Sequence, residues 1–272
     1  MISSGGLRIA TFNICSGRDP ATGGVDPERL RSAIREIDAD ILALQEVDRH
    51  QPRSAFYDQA ADAAEVMGCE RQNWRFAAAL HGTPGERWEP VEAEGLGLHE
   101  GSADRPAYGI ALLSKLPVRE WNEIRLPAPQ APVRSGARNG RTNGKARLVL
   151  LEDEPRVALV AVVDRGGSQL TIVNTHLSFI PGWNVRQLRQ LHHQLRTCPR
   201  PLVLAGDLNV PGRIPAMITG WQPRVRARTF PAPNPRSQLD HVLTDGMPAG
   251  SAGRAVQLDV SDHRALVVEL PG

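Results

Sequence analysis

The chain has 272 residues, 41% hydrophobic and 23% charged, which is long enough for one large domain with a substantial core. A net charge of +2 and 4% aromatic residues give neither the dense positive field of a sequence-independent nucleic-acid binder nor the rings of a single-strand stacking platform. No apolar run nears the ~20 residues of a membrane helix. The three cysteines (Cys15, Cys69, Cys198) lack any CxxC spacing, which argues against a disulfide framework or zinc site and for a reducing compartment.

Met1 to Gly6 runs straight into strand-like sequence without the basic, apolar and small-residue order of a signal segment, so a cytoplasmic location is expected. Leu7 to Ile14 reads as a strand with Asn13 near its end. Asn13 there is either a carboxamide aimed at a site or a turn residue. Gly17 to Gly24 is a loop. Asp26-Pro27-Glu28 opens a helix, with Asp as N-cap, Pro at the first helical position and Leu30, Ile34 and Ile37 as its buried stripe. Ile41 to Leu44 is a short buried strand, and Glu46 sits just past it, a hard-oxygen ligand or a solvated loop residue.

Tyr57 to Met67 is Ala-rich and helical in character. Residues 81–106 carry Gly and Pro without lasting periodicity and read as a long loop. Tyr108 to Ser114 resumes strand character. Leu126 to Lys145 is irregular, with Arg134, Arg138, Arg141 and Lys145 forming either a basic arm toward a polyanion or a solvated loop. Arg147–Leu151, Val157–Val163 and Leu170–Thr175 read as successive strands, and His176 stands at the tip of the last.

Asn184 is placed as the cap of a helix with Val185, Leu188, Leu191 and Leu195 on one face. His192 and His193 on that helix read as surface or half-buried residues rather than ligands. Leu202 to Ala205 is a buried strand that ends in Gly206-Asp207-Leu208-Asn209. In extended chain Asp207 and Asn209 point the same way, so a carboxylate and a carboxamide share one tip. A Pro-rich loop covers 211–236. Gln238 to Leu243 is a strand in which Asp240 and His241 face opposite ways. Arg254 to Leu258, the loop 259–263 and the strand Ala265–Leu270 close the chain. Strands in runs with a few helices between them predict two packed sheets, mixed or antiparallel, covered by helices on their outer faces.

Asn13, Glu46, His176, Asp207, Asn209, Asp240, Asp262 and His263 all fall at or just past the end of an apolar strand. A sheet sandwich that gathers such ends at one edge makes a polar pocket on a rigid scaffold. The segments Thr-Phe-Asn13-Ile, Leu-Gln-Glu46-Val, Asn-Thr-His176-Leu, Gly-Asp207-Leu-Asn209, Leu-Asp240-His-Val and Ser-Asp262-His263 resemble, in order and over residues 11–263, those of the endonuclease/exonuclease/phosphatase family.

The resemblance implies an α/β fold, a DNase I-like four-layer sandwich of two packed mixed β-sheets flanked by helices, as one domain over residues 1–272. It also implies hydrolysis of a phosphoester bond that depends on a divalent metal, Mg²⁺ or Mn²⁺. By that resemblance Glu46 is the main metal ligand, with Asn13 near or on the metal and Asp262 supporting the metal region. Asp207 and Asn209 orient the attacking water or the phosphate. His263, held by Asp240, is a general base or a phosphate-stabilising cation. His176 donates to a phosphate oxygen or the leaving group, and Tyr108 lines the pocket.

For the substrate, Asn-Thr-His176-Leu argues against the abasic-site endonuclease branch. Gln-Leu-Asp240-His241 stands where the inositol 5-phosphatase branch has Trp-Cys-Asp-Arg, and the start of the chain argues against secreted sphingomyelinases and DNases. A phosphodiester in DNA or RNA is the first expectation, a small-molecule or lipid phosphate the second, and a non-catalytic phosphate-binding module a remote third. A monomer without a membrane span is expected.

Overall fold

The computed structural model describes residues 6–91, 105–129, 133–134, 150–151 and 153–271. In chain order its regular elements are β1 (Leu7–Asn13), α1 (Pro27–Ile37), β2 (Ile41–Arg49), α2 (Gln59–Met67), β3 (Trp74–Gly82), β4 (Trp88–Pro90), β5 (Ala107–Ser114), β6 (Val118–Leu126), β7 (Val133–Arg134), β8 (Leu150–Leu151), β9 (Arg156–Arg165), β10 (Ser168–His176), α3 (Trp183–Gln194), β11 (Leu202–Asp207), α4 (Ile214–Thr219), β12 (Gln222–Pro223), β13 (Asp240–Asp245), β14 (Ala252–Val256) and β15 (Ala265–Leu270).

The strands form a seven-stranded sheet of order β14-β15-β1-β2-β5-β3-β4 and a six-stranded sheet of order β12-β13-β11-β10-β9-β6, with β7 and β8 paired apart. Both sheets are mixed. β1 runs parallel to β2 in the first and β10 parallel to β11 in the second, and the other pairs are antiparallel. The inner faces meet through Ile9, Ile41, Ile110, Val157, Leu159, Ile172, Val203 and Val242. Leu30, Ile34 and Ile37 of α1 and Ala60 and Ala63 of α2 pack on the outer face of the first sheet, against Phe12, Leu42 and Leu44. Leu188 and Leu191 of α3 cover the second sheet, against Val173, Leu202 and Leu204. The expected helix–sheet–sheet–helix sandwich is the observed one. Burial on both faces explains why the central strands read as unbroken apolar runs rather than alternating ones.

Polar pins join the sheets just below their edge. Gln45 Nε2 donates to Asn174 Oδ1 at 2.7 Å, and Asn174 Nδ2 donates to Leu44 O at 2.9 Å and Ala111 O at 2.7 Å. Leaving any of these groups unpaired in a dry core costs about 1–3 kcal/mol, so the pins fix one strand-tip register against the other.

Several boundaries differ from the sequence reading. Gly182, not Asn184, occupies the N-cap of α3, and Asn184 lies inside the first turn, where its Oδ1 accepts from Gly182 N and Val185 N. The Pro-rich stretch 211–236 is not all loop, because α4 and β12 lie within it. The 81–106 stretch begins as a hairpin, β3 reaching Gly82 and pairing with β4, while residues 92–104 lie outside the described part. Arg138, Arg141 and Lys145 of the expected basic arm also lie outside it. α2 starts at Gln59 behind an Asp58 cap, and the strand placed at Arg254–Leu258 runs from Ala252 to Val256. β3 and β6 were not foreseen.

Candidate active site

The tips of β1, β2, β10, β11 and β13 and the loop before β15 meet at one edge of the sandwich. Asp207, the last residue of β11, lies at their centre and is buried. Gly206 precedes it because a Cβ there would lie 2.1 Å from Thr175 O, so only glycine lets β11 come this close to β10. Asp207 Oδ1 accepts from Asn209 N at 2.9 Å, an Asx-type contact that turns the chain sharply after the strand. Its Oδ2 accepts from Asn13 Nδ2 at 3.0 Å and is faced by His176 Nε2 at 3.6 Å and His263 Nε2 at 3.8 Å.

Asn13 also donates to Glu46 Oε1 at 3.0 Å, while its Oδ1 accepts from Cys15 N at 3.0 Å. Its carboxamide therefore joins two carboxylates. Glu46 sits on a bulge of β2 between Gln45 and Val47 and has φ 54. The bulge turns its side chain out of the strand alternation and into the site. Of the nine described non-glycine residues with positive φ, five lie here: Cys15, Ser16, Glu46, Asn209 and Ser261. Each such conformation costs on the order of 1–3 kcal/mol and persists where neighbours over-determine it.

Asp262 and His263 come from the short loop before β15. Ser261 anchors that loop: its hydroxyl donates to Asn13 O at 2.6 Å and accepts from His263 N at 3.0 Å. The Cys15 thiol meets the Asp262 carboxylate. Burial, then Glu46 and Asp262, push that thiol up to about 12, so it stays protonated. His263 Nδ1 donates to Asp240 Oδ2 at 2.9 Å, and Phe230 packs on its ring at 4.9 Å between centroids. Thr229 Oγ1 in turn accepts from the backbone N–H groups of Leu239 and Asp240 and steadies the tip of β13.

The charges diverge. Burial opposes the imidazolium of His263, but Asp240, then Asp207 and Asp262, outweigh it and raise its pKa to about 10. Burial, then Asp240, raise the Asp207 carboxyl to about 6, against His263, Asn13 and the Asn209 N–H. Burial, then Arg156, then His263, hold His176 well below 6.5. His241, on the opposite face of β13 from Asp240 as its alternation required, turns Nε2 to Val210 O at 2.9 Å, and burial lowers it to about 4.

Tyr108 stands at the same edge of β5, opposite Asp48 of β2. It is buried, its pKa is raised by burial and then by Glu46, and the Arg53 guanidinium lies 5.5 Å from its ring centroid. Thus Asn13, Glu46, Tyr108, His176, Asp207, Asn209, Asp240, Asp262 and His263 converge. His192 is half-buried and His193 exposed on α3, away from this edge. Sequence reasoning gave no part to Ser261, Thr229, Arg156 or the Asp48–Arg53 pair. A lone arginine opening the apolar run 157–163 was the available signal for Arg156.

The donor set suits a hard divalent cation. Glu46, Asp207, Asp240 and Asp262 set four carboxyl groups near one imidazolium, and the Asp207 carboxyl is raised by burial and then by the neighbouring Asp240 carboxylate. Ligand atoms of Asp207, Asp240 and His263 lie within 4.8 Å of one another, but the short Asp240–His263 bond already engages two of them.

Residues 10–263 match the model of the Endonuclease/Exonuclease/phosphatase family, and the chain belongs to that family. No curated protein sequence matches significantly. Among solved structures, an endonuclease/exonuclease/phosphatase from Beutenbergia cavernae is similar at 22% identity and TM-score 0.63, over 98% of this chain and 72% of the other. Sphingomyelinase C from Streptomyces griseocarneus is similar at 18% and 0.63, over 97% and 99%. A Bacteroides thetaiotaomicron mannosyl-6-phosphatase is similar at 17% and 0.59, over 97% and 99%. At these identities the likeness is one of fold, the DNase I-like sandwich.

Proposed function

We propose that the protein is a divalent-metal-dependent phosphoesterase that cleaves a phosphodiester bond in nucleic acid. The observation that carries this reading is the Asp207 carboxylate, flanked by two imidazoles and joined through Asn13 to Glu46.

Asp207 takes the proton of the attacking water. Its pKa of about 6 keeps it ionised yet basic near neutral pH, whereas His263, protonated to about pH 10, has no free lone pair to accept one. His263 is instead the cation beside the phosphoryl oxygens, and Asp240 keeps it so. As the water oxygen bonds to phosphorus, the bond to the leaving oxygen breaks, and that oxygen departs as an alkoxide that takes its proton from bulk water. Asn209 helps to orient the phosphate, and His176 donates to a phosphoryl oxygen or the leaving oxygen. Glu46 and Asp262 would hold Mg²⁺ or Mn²⁺ with Asn13 beside them. A bound ion would supply Lewis-acid polarisation of the phosphoryl group.

Nucleic acid is favoured by the rim. Arg213, Arg226, Arg228 and Arg236 are exposed and, among the described residues, form no ion pair. Their loops are tied to the site through Gly212 N to Gln238 O and Arg264 N to Thr229 O. Unpaired arginines on such a rim suit a phosphate backbone. A second reading, a small-molecule or lipid phosphate, is favoured by the likeness in fold to the mannosyl-6-phosphatase and the sphingomyelinase.

The test is hydrolysis of bis-p-nitrophenyl phosphate beside nicking of supercoiled plasmid, with Mg²⁺, Mn²⁺ or EDTA and a Glu46→Gln control. Metal-dependent nicking lost in Glu46→Gln is expected. Cleavage of the small diester with plasmid untouched selects the second reading, and full activity in EDTA or in Glu46→Gln contradicts the metal assignment.

A further inference from the structure

Behind His176, on the side away from Asp207, lies the first residue of β9. Arg156 is 4% exposed, and its Nη1 lies 3.2 Å from His176 Nδ1. Its Nη2 is held at 2.9 Å from Asp153 Oδ1 and 3.2 Å from a Glu154 carboxylate oxygen. The antiparallel register of β9 and β10, with Thr175 opposite Ala158, brings the opening of one strand beside the tip of the other.

A guanidinium has N–H donors, no acceptor, and does not lose its proton in a protein. Its contact with Nδ1 is therefore a hydrogen bond only if Nδ1 is the bare nitrogen. A neutral imidazole with a bare Nδ1 carries its one hydrogen on Nε2. Nε2 faces inward, to Asp207 Oδ2 at 3.6 Å and the Asn209 carboxamide at 3.2 Å. Asn209 Nδ2 also approaches that nitrogen, and a neutral ring cannot accept at both nitrogens. Of the two N–H neighbours the guanidinium is the charged one and is anchored by Asp153 and Glu154, so its contact with Nδ1 is the one kept, while the neutral carboxamide retains its bond to Leu177 O at 3.0 Å. An imidazolium is disfavoured too, since it would set Nδ1–H against a buried cation. The groups around the ring are thus Arg156 on one side and Asp207, Asn209 and, farther off, His263 on the other.

We propose that Arg156 is a positioning residue that locks His176 in its neutral Nε2–H tautomer, so that the ring is a fixed hydrogen-bond donor to the phosphoryl group and never a proton acceptor. Asp153 and Glu154 fix Arg156 and offset its buried charge. The catalytic consequence rests on the phosphoesterase reading above, but the tautomer does not.

The experiment separates the two. Long-range ¹H–¹⁵N ring spectra are recorded on the ¹⁵N-labelled metal-free protein near neutral pH, with the His176 signals assigned from His176→Gln. A bare Nδ1 and a protonated Nε2 are expected. A hydrogen on Nδ1, with or without one on Nε2, overturns the inference even if the protein hydrolyses phosphodiesters. The same spectra are then read in Arg156→Met, which removes the donor, and in Arg156→Lys, which keeps one. The single tautomer is expected to be lost in the first and kept in the second. Turnover of bis-p-nitrophenyl phosphate is expected to drop about ten- to a hundredfold in kcat for Arg156→Met with KM little changed, and to return in part in Arg156→Lys, by analogy with the loss seen when the hydrogen-bond partner that orients a metal-ligating histidine is removed. An unchanged tautomer in Arg156→Met overturns the inference. If that variant does not fold, the wild-type and Arg156→Lys spectra still decide.

Discussion

Two histidines face one oxygen of Asp207, His263 from 3.8 Å and His176 from 3.6 Å, and both are buried. Their charge states nevertheless diverge, because different groups stand behind them. Behind His263 is the Asp240 carboxylate, and behind His176 the Arg156 guanidinium. Burial disfavours the imidazolium at both positions. At His263 the carboxylates override it, and at His176 the arginine reinforces it. One residue type at one distance from the reacting centre thus yields a cation on one side and a neutral donor on the other. The partner on the far nitrogen decides which.

The contrast between the two histidines depends most on Asp240. Asp240→Asn removes the counter-charge of His263 and leaves its tautomer unsupported, and turnover is expected to fall about 10³- to 10⁴-fold, as when a buried aspartate is removed from behind a catalytic histidine. Because the pair acts as a unit, Asp240→Asn with His263→Ala should lose little more than the worse single variant. Losses that multiply cleanly in a kinetic cycle would count against the pair. His176→Gln keeps an N–H donor near the Nε2 position, so a loss of about tenfold to a hundredfold is expected, below the usual range for general acid–base groups. A loss as deep as that of Asp240→Asn would mean that His176 moves a proton.

The difference also has a sign in stability. The folded-state pKa of His263 is raised from 6.5 to about 10. A group raised in this way contributes stability that is fully present below about 6.5 and lost as pH climbs through 10. Thermal unfolding of the metal-free protein from pH 6 to 10 should show that decline in the wild type and a flatter profile in Asp240→Asn. The smallest effect is expected at Ser261, whose hydroxyl ties His263 N to Asn13 O. Ser261→Ala should cost about 1–3 kcal/mol in denaturant unfolding, the cost of leaving buried partners unpaired, and should lower turnover less than any change above.

The His263 side was largely legible in the sequence and the other side was not. Asp240, Asp262 and His263 stand in short polar segments that adjoin apolar strands, and a polar residue beside an apolar run is visible along the chain. The same holds for Glu46, Asp207 and Asn209, and for the two-sheet sandwich read from buried strands. The guanidinium behind His176 was hidden because its meaning lies in register. Arg156 opens a strand, and only the antiparallel pairing of β9 with β10 carries it to His176, 20 residues on. Ser261 and Thr229 were hidden in the same way, since a hydroxyl in a loop signals nothing until the loop closes on a second strand. β3 and β6 escaped notice because each has polar or half-exposed positions on one face. The Asn184 cap was misplaced by two residues because Gly182, with φ 87, makes the turn into the helix and frees Asn184 to hold Asn209 O at 2.6 Å.

On the proposed mechanism His263 is a cation at the pH of catalysis and so leaves water activation to Asp207. The most direct test is a ring-nitrogen NMR titration of His263 from pH 6 to 10, in the metal-free and the Mg²⁺-loaded protein. Both ring nitrogens are expected to stay protonated through at least pH 8. A ring that becomes neutral near 6.5 would contradict that mechanism and make His263 the base.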